Sequence, residues 1–245
     1  MFNERVNVTL DLYRKKTDPL VAAITTPSSI GVKSVMMNMG QLKTDGIEVT
    51  LKVSPIYRPQ DRFVWNISLN GTHAKSKYSK IGNSLQSMNE QNQANLNTTR
   101  YYDGGSPTDI WAVRSAGIDP ATGQDLFIKK DGTYTFTYDK NDEVVVGNTE
   151  PKLEGVLGTT LYYKGFSFGC YLRYQLGGQV FNSALYEKVE NIDRESINYN
   201  QDKRALYDRW STPGQEAKFK RISLFQTTET SSRFVMDENT LSGES

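Results

Sequence analysis

The feature that most limits what this chain can become is a two-residue alternation sustained over stretches longer than ordinary strands. From residue 166 to 176, Phe166, Phe168, Cys170, Leu172, Tyr174 and Leu176 fall on one side, and Ser167, Gly169, Tyr171, Arg173 and Gln175 on the other. A pleated strand sends successive side chains to opposite faces, so this period reads as a strand with one apolar face. The pattern recurs upstream. Val6, Val8, Leu10 and Leu12 alternate with Asn7, Thr9 and Asp11; Ile47, Val49, Leu51 and Val53 with Glu48, Thr50 and Lys52; and Phe63, Trp65, Ile67 and Leu69 with Val64, Asn66, Ser68 and Asn70. A fifth run, 154–163, sets Leu157, Thr159, Leu161 and Tyr163 against Gly158, Thr160 and Tyr162.

Such a face can line the core of a soluble sandwich or meet lipid outside a barrel. Each run covers roughly 9 to 12 residues, above the usual 5 to 6 of soluble sheets and close to the 9 to 11 that a tilted strand needs to cross a bilayer. The connections also alternate: long over 15–43, short with two prolines over 55–62, long over 75–152, tight at Lys164-Gly165, and long again over 178–238. Short turns on one side and long loops on the other is the sidedness of an outer-membrane barrel, and a sandwich has no reason to sort its loops that way.

Charge placement agrees with a membrane strand. A Lys or Arg facing lipid at mid-depth costs roughly 2–4 kcal/mol. The apolar faces named above carry no charge, whereas the opposite faces carry Asp11, Glu48, Lys52 and Arg173. A sandwich would show the same split, so the aromatics help to separate the two. Phe63, Trp65, Tyr162, Tyr163, Phe166 and Phe168 crowd the ends beside the short turns, where an interfacial girdle sits. The residues thus predict an all-β, antiparallel transmembrane β-barrel segment of about five complete strands with long extracellular loops. Val6, Val8, Leu10, Leu12, Ile47, Val49, Leu51, Val53, Phe166, Phe168, Leu172 and Leu176 are expected to face lipid, and Glu48, Lys52, Tyr171, Arg173 and Gln175 the lumen. The alternatives are a soluble carbohydrate-binding β-sandwich and, more weakly, a passive porin-like channel.

Composition removes other function classes. With 29 Lys plus Arg against 28 Asp plus Glu, the net charge of +1 gives no footing for a nucleic-acid partner. The single Cys170 and single His73 leave no disulfide framework, no paired-ligand zinc site and no basis for a histidine triad. No catalytic residue, metal or cofactor is expected, and the chain is not read as an enzyme. No run of 18 apolar residues exists, yet a mean hydropathy of -0.58 suits a barrel, whose strands carry only every second residue as apolar.

Within the loops, "AGIDPATGQDLFIKKDGTYTFTYDK" suggests one or two small hairpins at the barrel mouth, and "QDKRALYDRWSTPG" a helix with Asp202 at its N-cap and Pro213-Gly214 ending it. Residues 83–99 read as polar loop. Asp139, Asn141, Asp142 and Glu143 offer oxygen ligands at short spacing but lack the glycine and terminal glutamate of a calcium loop, and read as a solvated turn. Tyr101, Tyr102, Trp111 and Trp210 could stack on a substrate or meet a lid; long loops also bury such side chains against themselves.

Several blocks in order carry more than a pattern. "NMGQLKTDGIEVTL" (38–51), "FVWNISLNGTHAKSKYSKI" (63–81), "AGIDPATGQDLF" (116–127), "GNTEPKLEGVLGTTLYYKGFSFGCYLRYQLGG" (147–178) and "DKRALYDRWSTPG" (202–214) resemble successive blocks of the SusC/RagA family of TonB-dependent outer-membrane transporters. Their order and spacing match the C-terminal part of that family's barrel, and the resemblance runs over nearly the whole chain, 1–245. It implies residence in the outer membrane and import of oligosaccharides or peptides through a 22-strand barrel with an internal plug. It also implies energy from TonB-ExbB-ExbD through an N-terminal part, and a SusD-like surface lipoprotein as lid. The signal peptide, plug, TonB-contacting segment and final strands of that pattern are absent, so the chain is expected to be a fragment of a barrel.

Overall fold

The computed structural model describes residues 5–25, 31–32, 34–38, 40–82, 85–192, 194–223 and 229–244. In chain order its strands are β1 (Val6–Thr17), β2 (Val21–Thr25), β3 (Ser34–Asn38), β4 (Gln41–Arg58), β5 (Phe63–Ser79), β6 (Asp109–Ile118), β7 (Asp125–Ile128), β8 (Tyr134–Thr135), β9 (Glu143–Asn148), β10 (Leu153–Tyr163), β11 (Phe166–Phe181) and β12 (Val235–Glu244). A helix, α1 (Gln86–Ala94), lies between β5 and β6.

Six strands form the main sheet, in the order β1-β4-β5-β10-β11-β12, with every neighbouring pair antiparallel. The sequence reading stopped at five complete strands. The sixth, β12, runs against β11 from Val235 opposite Phe181 to Glu244 opposite Tyr171. Its sequence "VMDENTLSGE" lacks an apolar face, so no alternation announces it. β4 and β5 also run further than the alternating runs, to 18 and 17 residues, because their polar ends still pair with each other.

Antiparallel order places both short turns at one end of this sheet. At the β10–β11 turn, Lys164 (φ 45) and Gly165 (φ 100) both take left-handed backbone, as a two-residue hairpin matched to strand twist requires. Lys164 N donates to Arg62 O of the β4–β5 turn at 3.0 Å, which ties the two turns side by side. The three long connections leave from the opposite end. The first holds the hairpin β2–β3, the second α1 and a four-stranded sheet ordered β8-β7-β6-β9, and the third a set of short helical turns.

Register keeps the apolar side chains on one face despite two bulges. In β4, Val53 faces Ile67 and Ile56 faces Trp65, so Ser54 and Pro55 together oppose one residue, a place where a strand tolerates proline's missing N–H. In β11 the shift falls between Gln175 and Gly178, where Gly177 (φ 78) takes a conformation open to glycine and its N–H donates to Asn239 Oδ1 at 2.8 Å.

The tightly packed core is in the loop layer rather than the sheet. Phe234, Leu85, Val113 and Val189 are its fully buried large side chains, whereas Val8, Leu10 and Phe166 on the main sheet remain 65%, 58% and 81% exposed. Residues 83–99, read as polar loop, contain α1; Asn83 and Ser84 lie outside the described residues. The helix has no apolar stripe to signal it; Leu85 at its start clusters with Tyr78 and Ile81, and Met88, Leu20 and Leu42 pack against that cluster.

Candidate functional site

Across the strands, partner registers join the apolar positions into one band. Val8, Leu51 and Leu69 are successive cross-strand partners, as are Leu10, Val49 and Gly71, while Leu157 sits between Leu69 and Leu172. All twelve residues expected to face lipid lie on this face. The five expected to face the lumen lie on the other, where Arg173 Nη2 reaches Glu244 Oε1 at 2.6 Å and Gln175 Nε2 donates to Glu154 Oε2 at 3.3 Å. Within the apolar band Trp65 Nε1 donates to Thr159 Oγ1 at 2.9 Å, which satisfies an indole N–H that lipid could not.

Tyrosines lock three glycines in this wall. Tyr13 faces Gly46, Tyr171 faces Gly158 and Tyr174 faces Gly155 as direct cross-strand partners. A Cβ on Gly46 would lie 2.2 Å from the Tyr13 ring, and one on Gly158 2.8 Å from the Tyr171 ring. Tyr174 also donates from its hydroxyl to Asn70 O at 2.7 Å. Each ring covers backbone that a side chain would otherwise shield, so the glycine is a seat for the ring.

At the long-loop end, a cavity of about 350 Å³ opens between α1 and the β6–β9 pair. It brings together three of the four loop aromatics singled out in the sequence: Tyr101, Tyr102 and Trp111. The Asn89 amide fixes Tyr101 from both sides, donating to Tyr101 O and accepting from Tyr101 N, each at 2.8 Å. Trp111 N donates to Thr98 O at 2.8 Å, and the Tyr102 and Trp111 rings stand 5.2 Å apart at 44°. Tyr102 is 48% exposed and so offers a ring to a ligand.

The floor of this cavity corrects the solvated-turn reading of Glu143. Asp139 does cap a surface turn, accepting from Asn141 N at 2.8 Å, but Glu143 begins β9 and is buried. Its Oε2 pairs with Arg100 Nη2 at 2.6 Å, with the side chains 5% and 2% exposed, and its Oε1 is buried without a partner among the described residues. Gln93 bridges the cavity wall, donating to Lys140 O at 2.7 Å and Glu143 Oε2 at 3.3 Å. Aromatic faces, amides and the ammonium groups of Lys130 and Lys140 around one cleft suit a ligand with both ring faces and hydroxyl or amide groups. No group of three or more His, Cys, Asp or Glu side chains able to hold a metal occurs among the described residues.

Trp210 is elsewhere. Its ring lies over Gly123, whose Cβ would meet it at 2.4 Å, and its Nε1 donates to Pro120 O at 2.8 Å. It therefore clasps the β6–β7 turn to the third long loop. The expected helix around it shrinks to one turn, Arg204–Tyr207, with Asp202 Oδ1 accepting from Arg204 N at 2.9 Å.

A buried charge cluster, which sequence reasoning missed, joins the same two loops. The Arg233 guanidinium reaches Asp125 Oδ2 at 2.9 Å and Glu190 Oε1 at 3.0 Å, and Lys220 Nζ stands 3.9 Å from the same Glu190 oxygen. Burial opposes the Arg233 charge, but its hydrogen bonds to Glu190 and the charges of Asp125 and Glu190 more than offset it, so its pKa is held above the ordinary arginine value. For Lys220 burial wins, and its amine pKa is lowered. These partners are 30 to 108 residues apart, and no spacing rule connects them.

No family model matches the chain. Curated relatives from Formosa agariphila are TonB-dependent receptors. Receptor P39 is 22% identical over 91% of this chain and 25% of its own length, P3 is 26% identical over 97% and 24%, and P26 is 28% identical over 74% and 20%. Among solved structures, the RagAB peptide transporter aligns with a TM-score of 0.76 at 22% identity, covering 98% of this chain and 26% of that one. The RagAB peptide importer in its open-open state gives 0.73 at 21%, with the same coverage. The chain spans a fifth to a quarter of the curated relatives it matches. The resemblance read from the sequence blocks is met: the relatives are TonB-dependent receptors, and the fold neighbour is a RagAB transporter.

Proposed function

We propose that this chain, whose relatives are TonB-dependent receptors, is a section of the barrel wall of an outer-membrane importer for oligosaccharides or peptides. The observation that supports this most is the uncovered apolar band. From Phe63 to His73 and from Phe166 to Leu176 each strand advances ten residues. At about 3.3 Å per residue and an inclination of about 40°, that is ~25 Å of membrane thickness, the height of the apolar band of an outer-membrane barrel. A sandwich would need a second sheet over this band, and among the described residues nothing covers it: Leu12 is 73% and Phe168 60% exposed.

In this reading the polar face lines the lumen, the loop layer is extracellular, and the Tyr101–Tyr102–Trp111 cleft contacts substrate. A SusD-like lipoprotein closes over the loops, and TonB-ExbB-ExbD acts through receptor segments that this quarter-length chain does not span. The wall performs no chemistry. Spin labels at Val49, Leu172 and Arg173 of the full-length protein in membranes test the assignment. Labels at Val49 and Leu172 are expected to collide with oxygen dissolved in lipid, and the label at Arg173 with a water-soluble nickel chelate. Water contact at Val49 and Leu172 would sink the reading.

A further inference from the structure

Above the apolar band, on the same face and towards the long loops, the register stacks cations. Arg14 faces Asp45, which faces Lys75; in the next row Lys16 faces Lys43, which faces Lys77. Three lysines from three neighbouring strands are thus direct cross-strand partners. Opposed Cβ atoms in such pairs are about 5 Å apart, and like charges there destabilise a sheet. Asp45 answers Arg14 at 2.5 Å and Asp18 answers Lys16 at 2.9 Å. Among the described residues no carboxylate comes within ion-pair distance of Lys43, Lys75 or Lys77, although Glu150 and Asp109 line the cavity beside Lys75 and Lys77. The row is exposed, and the Arg14–Asp45–Lys75 row separates it from Leu12, Ile47 and His73 at the edge of the band.

We infer that the Lys16–Lys43–Lys77 row binds the phosphate-bearing headgroup of an outer-leaflet lipid. Depth selects a lipid over a soluble anion. The row stands four residues beyond His73, so ~10 Å above the hydrocarbon edge at the same inclination, within the headgroup layer. A phosphate there removes the mutual repulsion of the three amines, and the acyl chains of the same molecule lie against Leu10, Leu12 and Val49. This inference rests on the proposed lipid-facing assignment.

The test uses the full-length receptor in phosphatidylcholine nanodiscs doped with lipid A carrying its phosphates or with the dephosphorylated form, read by native mass spectrometry. Lys16→Gln/Lys43→Gln/Lys77→Gln is expected to weaken retention of the phosphorylated form on the order of a hundredfold, and Lys43→Gln alone about fivefold. Lys52→Gln, on the opposite face, is the control and should change nothing; heat-modifiable migration on gels confirms that each variant folds. Equal retention of the dephosphorylated lipid, unchanged retention in the triple variant, or full displacement by excess inorganic phosphate would overturn the inference. A spin label at Val49 in the same nanodiscs separates the two failures. Lipid contact there with no lysine effect removes the headgroup site alone, whereas water contact removes both.

Discussion

Replacing Arg233 by Gln should unlock the two long loops from each other while leaving the wall intact. The Arg233 side chain is 13% exposed and Glu190 1%, so the substitution leaves a carboxylate that water cannot reach. Breaking one side of a buried pair costs about 3–5 kcal/mol. Lys220, 3.9 Å from Glu190 and 18% exposed, remains as a second cation, which puts the expectation near ~3 kcal/mol, the lower end of that range. The loss should appear as local opening. Amide exchange should rise roughly a hundredfold at Val113 and Ser115, which bond the Ser231–Ser232 segment, and at Asn182, which donates to Phe234 O. Strands β4 and β5 should keep their protection. Lys218→Ala is the comparison: its pair with Asp208 is 3.8 Å long with the lysine 79% exposed, so its removal should cost no more than about 0.5 kcal/mol. Equal exchange in the two variants would refute the idea that a buried cluster, rather than apolar packing around Phe234, joins the loops.

Other expectations follow from single contacts. Gly46→Ala should destabilise the wall by about 1–3 kcal/mol because its Cβ would enter the Tyr13 ring, whereas Gly169→Ala, whose nearest neighbour would be 3.6 Å away, should be close to neutral; urea unfolding of the folded barrel compares them. Tyr102→Ala should weaken substrate binding measured by calorimetry without altering loop protection, while Trp210→Ala should do the reverse, since its ring and N–H are spent on Gly123 and Pro120. The Arg204 side chain, through its hydrogen bond, holds the Asp202 carboxyl at a pKa of about 2, below the ordinary aspartate value of 3.8. A depressed carboxyl pKa stabilises the folded form above the unfolded value and loses that support as pH falls through the folded one. The turn Arg204–Tyr207 should therefore loosen between about pH 3.8 and 2, followed by the Asp202 carboxyl carbon shift; a midpoint near 3.8 would contradict the contact.

The sequence by itself determined five of the six strands of the wall, their two faces, the two short turns, the hairpins over 116–140 and the sorting of loops to one end. These are legible because alternation and turn chemistry are local: the pleat forces a period of two, and Lys164-Gly165 specifies its turn wherever it stands. Only the tertiary structure decided what depends on a distant partner. β12 is a strand because β11 offers an unpaired edge, not because "VMDENTLSGE" alternates. α1 forms in a polar stretch because Asn89 closes on the backbone of Tyr101. Glu143 reads as one more acid beside a turn until Arg100, 43 residues away, is folded onto it. The lysine row has the same origin: each lysine ends its own strand without comment, and only the register of three strands sets their charges side by side.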